Sequence, residues 1–535
     1  MSRRRQQTAP EGGGAQDTPG VGKRARKEGL IRNWGDPPRR PTLGEGGAYK
    51  PKAKGCRAER ESEGLIGTDD GGEKPPEGEG LTLVVPVTGG KREGMPARAN
   101  NPTDKVRQLQ RRLYVSAKRS RTRRFHALYD RIGRGDVLAE AWDRVKANRG
   151  AAGIDGETLS MIEQRGEREF LEDVQQRLRT GKYLPQPVRR QYIPKTDGTK
   201  RPLGIPTVRD RVVQAATKLV IEPVFEADFK ESSYGFRPKK NATGALETIR
   251  LNAGRSYRYV VDGDIKSYFD QISHGKLLKL VERRISDRRV LKLLRQWLKA
   301  GVMEAGEMRG TDLGSPQGGV ISPLLANIYL DALDTIWERR CRHLGILVRY
   351  ADDFAVLCRT RADAEEALRR VGIILQRLDL TLHPEKTRIV ELGLGKKGFV
   401  FLGCYLRVVL SHFKRREYLF RWPSARAMNR IRAQIRTLTD RRRWAGMKDI
   451  REVIRVINPV LRGWGNYFCT GNASIKFQQV DLFVHQRLLW LMARRGGDRR
   501  KPFRAKKWPL LRFVKEHGLH RLVGTIRYPG EVHAT

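Results

Sequence analysis

Two adjacent carboxylates interrupt an apolar stretch that runs from Leu347 to Leu357. The acids are Asp352 and Asp353, and the residues around them predict a β-hairpin whose turn carries both side chains. Unpaired carboxylates beside buried strands are costly unless a cation neutralises them. Two-metal phosphoryl transfer needs a small carboxylate cluster that holds two ions about 3.5–4 Å apart. The pattern therefore predicts Mg²⁺ chemistry and calls for a third acid from elsewhere in the chain.

The upstream candidate for the third acid ends a short apolar strand. Residues 257–264 run out into Asp264, whose carboxylate would stand at the sheet edge beside the predicted hairpin. Asp262 is a rival because it would share a strand face with Asp264. Asp270 is a second rival, although a local cap or ion pair suits it better. The residue types leave the choice among these three open.

A loop punctuated by glycine and proline, residues 314–323, lies between the two acidic stretches and opens an apolar helix. Its glycines allow close backbone approach, which makes Gln317 a candidate for contact with an incoming nucleotide or a template base. Upstream, residues 191–206 predict a strand, a tight turn and a second strand. Lys195, Lys200 and Arg201 near that turn suit the grip of a triphosphate. The alternative is a solvated hairpin tip.

Taken in order, the segments around Asp264, residues 314–323 and the Tyr-Ala-Asp-Asp tetrapeptide resemble the palm motifs of reverse transcriptases. The residues within these motifs resemble those of the reverse transcriptase/maturases that bacterial group II introns encode. The resemblance covers roughly residues 104–500, and includes a maturase-thumb-like Arg-Gly-Trp-Gly-Asn-Tyr run at 462–467. Several linked motifs make it more specific than a lone pair of aspartates.

The resemblance selects Asp264 as the metal ligand, because the family motif places that ligand directly before Ile-Lys. Ile265 then belongs to the nucleotide site. The family position of Phe269 implies a ring that excludes a 2′-OH, and hence deoxynucleotide substrates; the alternative is that Phe269 is core and Tyr268 faces substrate. Lys386 is expected to steady pyrophosphate or donate a proton, with a structural ion pair as the alternative.

Three acids are implied as ligands of two Mg²⁺ ions: Asp264, Asp352 and Asp353. Asp353 is either a weaker ligand or a neighbour that sets the local field. The family also contains a Ser-Tyr-Gly-Phe-Arg-Pro segment, which spans residues 233–238 here. Within it, Arg237 is a candidate for contact with template phosphate, whereas Tyr234 and Phe236 are expected in the core.

The implied fold class is α+β: a right-hand polymerase with fingers and an antiparallel palm sheet, followed by an α-helical thumb or maturase domain. Residues 1–100 are rich in Gly, Pro, Glu, Lys and Arg and are predicted to be a disordered tail. The remaining predicted boundaries are 101–185 for an N-terminal extension, 186–410 for fingers and palm, 411–493 for the thumb and 494–535 for a basic DNA-binding tail.

Composition points to a polyanionic partner. The formal net charge is +47 and the isoelectric point about 10.6, and self-repulsion of that size favours binding to nucleic acid. No apolar run reaches 18 residues, which argues against a membrane span. Five scattered cysteines form no Cys-x-x-Cys pair, as expected for buried thiols in a reducing cytoplasm. The predicted location is the bacterial cytoplasm, with nucleoid association when DNA is bound.

The predicted function is RNA-directed DNA polymerisation together with group II intron splicing and copying. The expected partners are the intron RNA, a DNA target or primer, and dNTPs. No His-Asn-His endonuclease cluster is recognisable, so priming is expected from a nascent strand or another available 3′ end. Two alternatives stay open: a splicing-only maturase with an idle polymerase site, and a reverse transcriptase domesticated for repair or defence.

Overall fold

The computed structural model describes residues 102–194, 200–253, 256–304, 307–309, 314, 318–411, 415–493 and 507–527. The chain divides into two units, residues 1–92 and 93–535, and every described residue belongs to the second. The tail predicted for residues 1–100 lies outside the described residues. So do two predicted nucleotide contacts, Lys195 and Gln317.

Helices dominate the described residues 102–194. They are α1 (Pro102–Arg119), α2 (Tyr129–Ile132), α3 (Gly135–Ala147), α4 (Leu159–Arg165) and α5 (Glu167–Arg179). Gly133 caps α2 and separates it from α3. In α1 the buried face ends on Ala117, whereas Val115 is exposed.

The predicted hairpin is confirmed as β1 (Val188–Pro194) and β2 (Lys200–Ile205), which pair antiparallel. Helix α6 (Val208–Glu226) follows, and α7 (Ala242–Ala253) precedes the palm. The Thr207 side chain caps α6 by accepting a hydrogen bond from the backbone N–H of Asp210. Pro223 lies inside α6, which continues to Glu226 rather than closing there.

The next elements build the palm. They are β3 (Tyr259–Asp264), α8 (Tyr268–Gln271), α9 (His274–Glu282), α10 (Arg288–Lys299), β4 (Val302–Glu304), β5 (Glu307–Arg309), α11 (Ser322–Ile336), β6 (Ile346–Tyr350), β7 (Asp353–Cys358), α12 (Arg361–Arg377) and β8 (Arg388–Glu391). The palm sheet has the order β6-β7-β3-β8 and is antiparallel throughout. A second sheet, β2-β1-β4-β5, carries the confirmed hairpin at one edge.

The palm sheet is buried on both faces. Successive residues of a strand point to opposite faces, and Val260 and Val261 accordingly enter two different hydrophobic cores. The same alternation occurs in β7, where Ala355 and Val356 separate in the same way. Two-sided burial explains why these strands read as continuous apolar runs, with polar residues left to their ends.

Beyond the palm, the described residues form a small sheet and four α-helices. They are β9 (Phe399–Phe401), β10 (Cys404–Leu410), β11 (Glu417–Pro423), α13 (Ala425–Leu438), α14 (Ile450–Phe468), α15 (Ser474–Met492) and α16 (Leu510–His517). Residues 469–473 separate α14 from α15.

Part of the predicted basic tail packs onto the helical region instead of standing free. Within the described residues 507–527, Phe513, Leu519 and Leu522 are buried in the core shared with α14 and α15. Residues 494–506, where the basic charge is densest, lie outside the described residues. No helix in the described part of the chain is long and apolar enough to cross a membrane.

Candidate active site

The three predicted acids meet at one end of the palm sheet. Strands β3 and β7 pair so that Asp264 lies directly opposite Asp353, a position in which the two Cβ atoms are typically about 4.5–5.5 Å apart. Tyr350 pairs with the same Asp353 across the β6–β7 hairpin, which leaves Ala351 and Asp352 as its two-residue turn. Ala351 has a φ of 57°, in the left-handed region that tight hairpin turns use.

These acids stand in a cleft of about 1060 Å³. Its walls come from the palm sheet, from the tip of β2, from the glycine-rich loop before α11 and from the turn before β8. Among the lining residues are Ile265, Phe269 and Lys386, all predicted at the nucleotide site from the family resemblance. The volume and the acidic floor suit a large, charged substrate.

Crowding of like charge marks the floor of the cleft. Burial and, after it, the neighbouring carboxylates of Asp352, Asp264 and Asp262 together raise the pKa of Asp353 to about 7 against the opposing effect of Lys386. Asp353 remains open to solvent on the side that faces the cleft. Its pKa is raised by the protein packed on its other side and by the negative charge of its neighbours. A group of acids in this state attracts a cation strongly.

Asp264 already has a cationic partner. The Nζ atom of Lys386 lies 2.6 Å from the Oδ2 atom of Asp264, and the lysine side chain is 61% exposed. The segment before Lys386 is fixed to the end of β3, because the His383 amide donates to the Asp264 carbonyl at 2.8 Å. The structural ion pair, considered above as the alternative for Lys386, is therefore present.

Asp262 is held differently from Asp264. Its Oδ2 atom lies 3.3 Å from Nε of Arg388 in the adjacent strand β8. Burial raises the pKa of Asp262 to about 6, and the arginine opposes this shift. Asp262 lines the same cleft, but its register in β3 sets it opposite Ala355 rather than an acid. The geometry thus favours Asp264 over this rival.

The donor set suits a hard divalent ion in its chemistry but is not assembled as a closed group. All donors are carboxylate oxygens, the ligands that Mg²⁺ prefers. Among the residues the structure describes, no group of three or more His, Cys, Asp or Glu side chains converges closely enough to hold a metal. The Lys386 ammonium contacts the Asp264 carboxylate, whose charge a metal ion would otherwise neutralise. A metal ion at Asp264 would compete with Lys386 for the Oδ2 atom.

The two aromatic residues after Asp264 have separate roles. Tyr268 is buried, and its hydroxyl donates to the Ala326 carbonyl at 2.5 Å. Phe269 is partly buried, packs edge-on against Tyr268 with ring centroids 5.4 Å apart, and lines the cleft. Tyr268 also lines the cleft, but its ring is buried and its hydroxyl is held by Ala326, which favours Phe269 as the ring at the cleft surface.

Glycines bring the loop before α11 close to both the hairpin and the Phe269 segment. A Cβ atom on Gly318 would lie 2.4 Å from the carbonyl oxygen of Gly204 in β2. Gly314 has a φ of 93°, and its carbonyl lies 2.6 Å from Nε2 of buried His274. Only glycine fits such close approach.

Of the predicted hairpin contacts, Lys200 is exposed at the first position of β2. Arg201 occupies the next position, where its backbone pairs with Ile193. The tip of β2 reaches the cleft through Pro202 and Leu203. This places the hairpin at the cleft wall, with the triphosphate contacts still a prediction.

Two predictions for residues 233–238 are wrong. Arg237 is buried and forms a bidentate pair with Glu226, with N···O distances of 2.7–3.2 Å, so it is not available to template phosphate. Phe236 is 49% exposed with a φ of 56° and lines the cleft instead of the core. Tyr234 is partly buried against the second core, as expected.

One functional candidate, Arg349, was missed. It lies in β6 three residues before Asp352 and is fully buried. A charged residue within an otherwise apolar strand was the available sequence signal, because a buried guanidinium needs several fixed partners.

Comparison with known proteins agrees with the site geometry. A family model described as reverse transcriptase (RNA-dependent DNA polymerase) matches residues 193–406. A second model, described as the maturase-specific domain of group II introns, matches residues 428–508. The first model covers the palm sheet and its acids, and the second covers α14, α15 and most of α13.

Named relatives extend this likeness. The chain is 35% identical to Protein YkfC of Escherichia coli (strain K12) over 362 residues, covering 61% of this chain and 94% of that protein. It is 41% identical to the group II intron-encoded protein LtrA of Lactococcus lactis subsp. cremoris over 213 residues, covering 39% of this chain and 35% of LtrA.

A third relative is an uncharacterized 91 kDa protein in the cob intron of Schizosaccharomyces pombe, 28% identical over 425 residues. The match covers 65% of this chain and 51% of that protein. The chain thus spans nearly all of YkfC, about half of the fission-yeast protein and about a third of LtrA. With both domain models in their expected order, this chain belongs to the family of group II intron reverse transcriptase/maturases.

Proposed function

We propose that this chain polymerises DNA on an RNA template at the Asp264, Asp352 and Asp353 cleft, and that it assists the splicing and retromobility of a group II intron. One observation carries the proposal: β3 and β7 are in the register that sets Asp264 opposite Asp353, with Asp352 in the adjoining turn. Catalysis of phosphoryl transfer consists mainly of positioning and electrostatic stabilisation, so these few side chains suffice.

The proposed cofactor is a pair of Mg²⁺ ions held by the three carboxylates. Bound there, they would activate the attacking 3′-hydroxyl and stabilise the leaving pyrophosphate oxygen. Asp264 exchanges its Lys386 partner for this role, and its fixed position at the end of β3 keeps the carboxylate at the cleft floor. Lys386, 61% exposed on the cleft wall, then turns its ammonium to the triphosphate or the departing pyrophosphate.

The remaining predicted contacts divide the incoming nucleotide between them. Phe269 packs under the sugar and excludes a 2′-OH, which selects dNTPs. Ile265 is buried beside it and shapes the floor. Three cations of the β1–β2 hairpin and one amide of the loop before α11 complete the site: Lys195, Lys200, Arg201 and Gln317.

The proposed partners are the intron RNA and a DNA primer or target. Helix α13 supports this proposal, because it carries four arginines and no acid. Phosphates along an RNA strand are the natural counter-ions for such a helix. Splicing would use this RNA grip without any reaction at the palm.

A splicing-only maturase is the second candidate, and the Asp264–Lys386 ion pair is the observation that favours it. An ammonium 2.6 Å from the carboxylate neutralises Asp264 without a metal. An idle polymerase site would keep such a pair permanently, whereas an active site must release it.

The test is extension of a DNA primer on an RNA template with Mg²⁺ and dNTPs. We compare the native chain with Asp352→Ala, and use Glu385→Gln as the matched control, because Glu385 is an exposed acid on the same cleft wall. Asp352→Ala should lower the rate by at least about 10³-fold, since loss of metal-assisted charge stabilisation costs several kcal/mol. Glu385→Gln should keep the rate within a few fold.

The alternative predicts a different result. A folded native chain that extends no primer, yet binds the intron RNA and accelerates its splicing, would replace the polymerase proposal with the splicing-only one.

A further inference from the structure

Arg349 is a fully buried arginine with four side-chain or backbone partners beside the catalytic turn. Its Nε atom donates to Asp334 at 2.9 Å, and its Nη2 atom donates to Asp334 at 2.5 Å and to the Ser233 hydroxyl at 2.8 Å. Its Nη1 atom donates to the Ala351 carbonyl at 2.9 Å and to the Asn327 side chain at 3.3 Å. Both Arg349 and Asp334 have side chains that are 0% exposed.

The bond to Ala351 fixes the peptide that enters the catalytic acid. The Ala351 carbonyl belongs to the peptide unit whose nitrogen is that of Asp352, so its direction sets the start of the Asp352 backbone. Ala351 has a φ of 57°, a conformation that alanine adopts only where its surroundings enforce it. The guanidinium of Arg349 is one of the groups that enforce it.

A second segment holds the same turn from another side. The Arg349 amide donates to the Ser232 carbonyl at 2.7 Å, and the Tyr234 amide donates to the Arg349 carbonyl at 2.8 Å. Gly235, next along the segment, packs so closely that an added Cβ would lie 2.4 Å from the Ala351 nitrogen. The segment from Ser232 to Gly235 therefore runs alongside β6 and presses on the turn.

Helix α11 fixes this segment in turn. The Asn327 amide donates to the Gly235 carbonyl at 2.8 Å while its oxygen accepts from Arg349. Asp334, two turns later in α11, accepts hydrogen bonds from Nε and Nη2 on the other edge of the guanidinium. Arg349 thus joins α11, the 232–235 segment and the catalytic turn in one buried network.

A purely structural role is the competing explanation, and another buried arginine shows what such a role looks like. Arg284 is 5% exposed, pairs with Asp228 at 3.0 Å, and donates to the carbonyls of Ala117 and Ser120. It joins the end of α1 to the turn after α9, with none of these partners in the cleft. Buried ion pairs add little net stability. Stability alone therefore does not explain why Arg349, unlike Arg284, binds a carbonyl of the catalytic turn.

We propose that Arg349 is a positioning residue for polymerisation: it fixes the Ala351–Asp352 peptide so that the Asp352 carboxylate stands correctly beside Asp264 for divalent-ion binding. This inference rests on the proposed polymerase function. It assigns the catalytic geometry of the turn to a side chain that touches neither nucleotide nor primer.

The test compares Arg349→Lys with Arg284→Lys in the full chain. Lysine keeps the charge but loses the planar fork that serves several partners at once. Four quantities are measured: thermal stability, RNA affinity, the kcat and KM of primer extension for dNTP, and the affinity for Mn²⁺ by electron paramagnetic resonance. Mn²⁺ serves as a probe of the carboxylate site that does not depend on turnover.

We expect both variants to lose stability, and Arg349→Lys alone to lose catalytic geometry. Its kcat should fall about 10- to 100-fold, because a displacement of about 1 Å at reacting groups has effects of this size. Its Mn²⁺ affinity should fall about 10-fold or more, as mutation of residues that orient metal ligands typically produces. The KM for dNTP and the RNA affinity should stay within about twofold of native.

Equal effects of Arg349→Lys and Arg284→Lys on kcat and Mn²⁺ affinity would overturn the proposal. If Arg349→Lys does not fold, Ser233→Ala replaces it, because it removes one partner of the guanidinium and little else. A folded Ser233→Ala chain with native kcat and native Mn²⁺ affinity would then overturn it. If the native chain extends no primer, the polymerase proposal fails, and the Mn²⁺ comparison still decides the role of Arg349.

Discussion

The palm cleft and the helices after residue 425 arrange charge in opposite ways. In the cleft, carboxylates collect at one end of a buried sheet, and their proximity helps to raise the pKa of Asp353 to about 7. In the helical region, arginines lie over aromatic rings: Arg436 over Phe483 at 5.3 Å, and Arg441 over Trp490 at 3.4 Å. One region gathers several carboxylates around two cationic partners, Lys386 and Arg388. The other region places its cations over aromatic rings.

This difference separates the region proposed for catalysis from the region proposed for RNA binding. Acids facing a nucleic-acid phosphate repel it unless a cation stands between them, so the palm needs divalent ions before it can meet substrate. Arginines on a helix face can bind phosphate directly and release its counter-ions. The comparison therefore expects palm substitutions to change the reaction and thumb substitutions to change RNA affinity, with little crossover.

The largest effect that sharpens this comparison should come from Phe269→Ala. Removing the ring opens space for a 2′-OH, and discrimination against ribonucleotides should fall by about 100-fold, since steric and polar selection are of this order. The measurement is the ratio of kcat/KM for dNTP and rNTP, with RNA affinity in parallel. Tyr268→Phe is the control, because it keeps both rings and removes only the buried hydroxyl. Unchanged discrimination in Phe269→Ala would show that another group selects the sugar.

A smaller effect is expected from Arg432→Gln combined with Arg436→Gln in α13. Both line a groove of about 350 Å³ between α13 and α15. Removing two phosphate contacts should weaken RNA binding about tenfold and reduce the slope of log affinity against log salt by about 1.5–2. At saturating template, kcat should not change.

The matched control for the thumb variant is Arg369→Gln with Arg370→Gln in α12. Both of these arginines already pair with Glu366, so their loss should alter RNA affinity little. A loss of kcat at saturating template in the thumb variant would break the division between chemistry and grip.

A separate prediction concerns stability and pH, with no change expected in the reaction or in RNA affinity. Burial raises the pKa of Asp331 to about 7, with Asp334 adding to the shift. Between about pH 4 and pH 7 the folded chain therefore keeps the Asp331 proton, whereas the unfolded chain has lost it. The unfolding free energy accordingly falls as pH rises through this range. Asp331→Asn should remove up to about 3 kcal/mol of the fall in unfolding free energy between about pH 5 and pH 8.

Denaturant unfolding at pH 5 and pH 8 measures the effect of Asp331→Asn. Asp143→Asn, at an exposed position of α3, controls for the loss of one negative charge. An equal pH dependence in the native chain and Asp331→Asn would show that other groups cause it.

Local pattern was enough to predict the parts of the site that lie within strands. The β6–β7 hairpin, the end of β3 at Asp264 and the β1–β2 hairpin follow from apolar runs and turn residues, and the structure confirms all three. The choice of Asp264 over Asp262 came from the family resemblance, because alternation in a strand gives both acids the same face. Register against β7 supplies the physical reason for that choice.

Predictions failed where a side chain is fixed by partners distant in sequence. Arg237 looked free to contact phosphate because its partner could not be recognised from the sequence. That partner, Glu226, lies in the preceding helix, and no spacing rule connects the two residues. Phe236 looked like core because an isolated aromatic residue normally is. It has a φ of 56° and follows Gly235, which packs closely on the β6–β7 turn. Arg349 escaped notice for the same reason, since its partners come from three separate elements.

The central claim is that the palm acids form a divalent-ion site that Lys386 vacates. Mn²⁺ titration monitored by electron paramagnetic resonance tests it directly on the native chain, Asp352→Ala and Glu385→Gln. The account predicts strong binding by the native chain and Glu385→Gln, and binding weakened by at least about tenfold in Asp352→Ala. Identical titrations for the native chain and Asp352→Ala would contradict it, and would leave the Asp264–Lys386 ion pair as the resting and final state of an idle site.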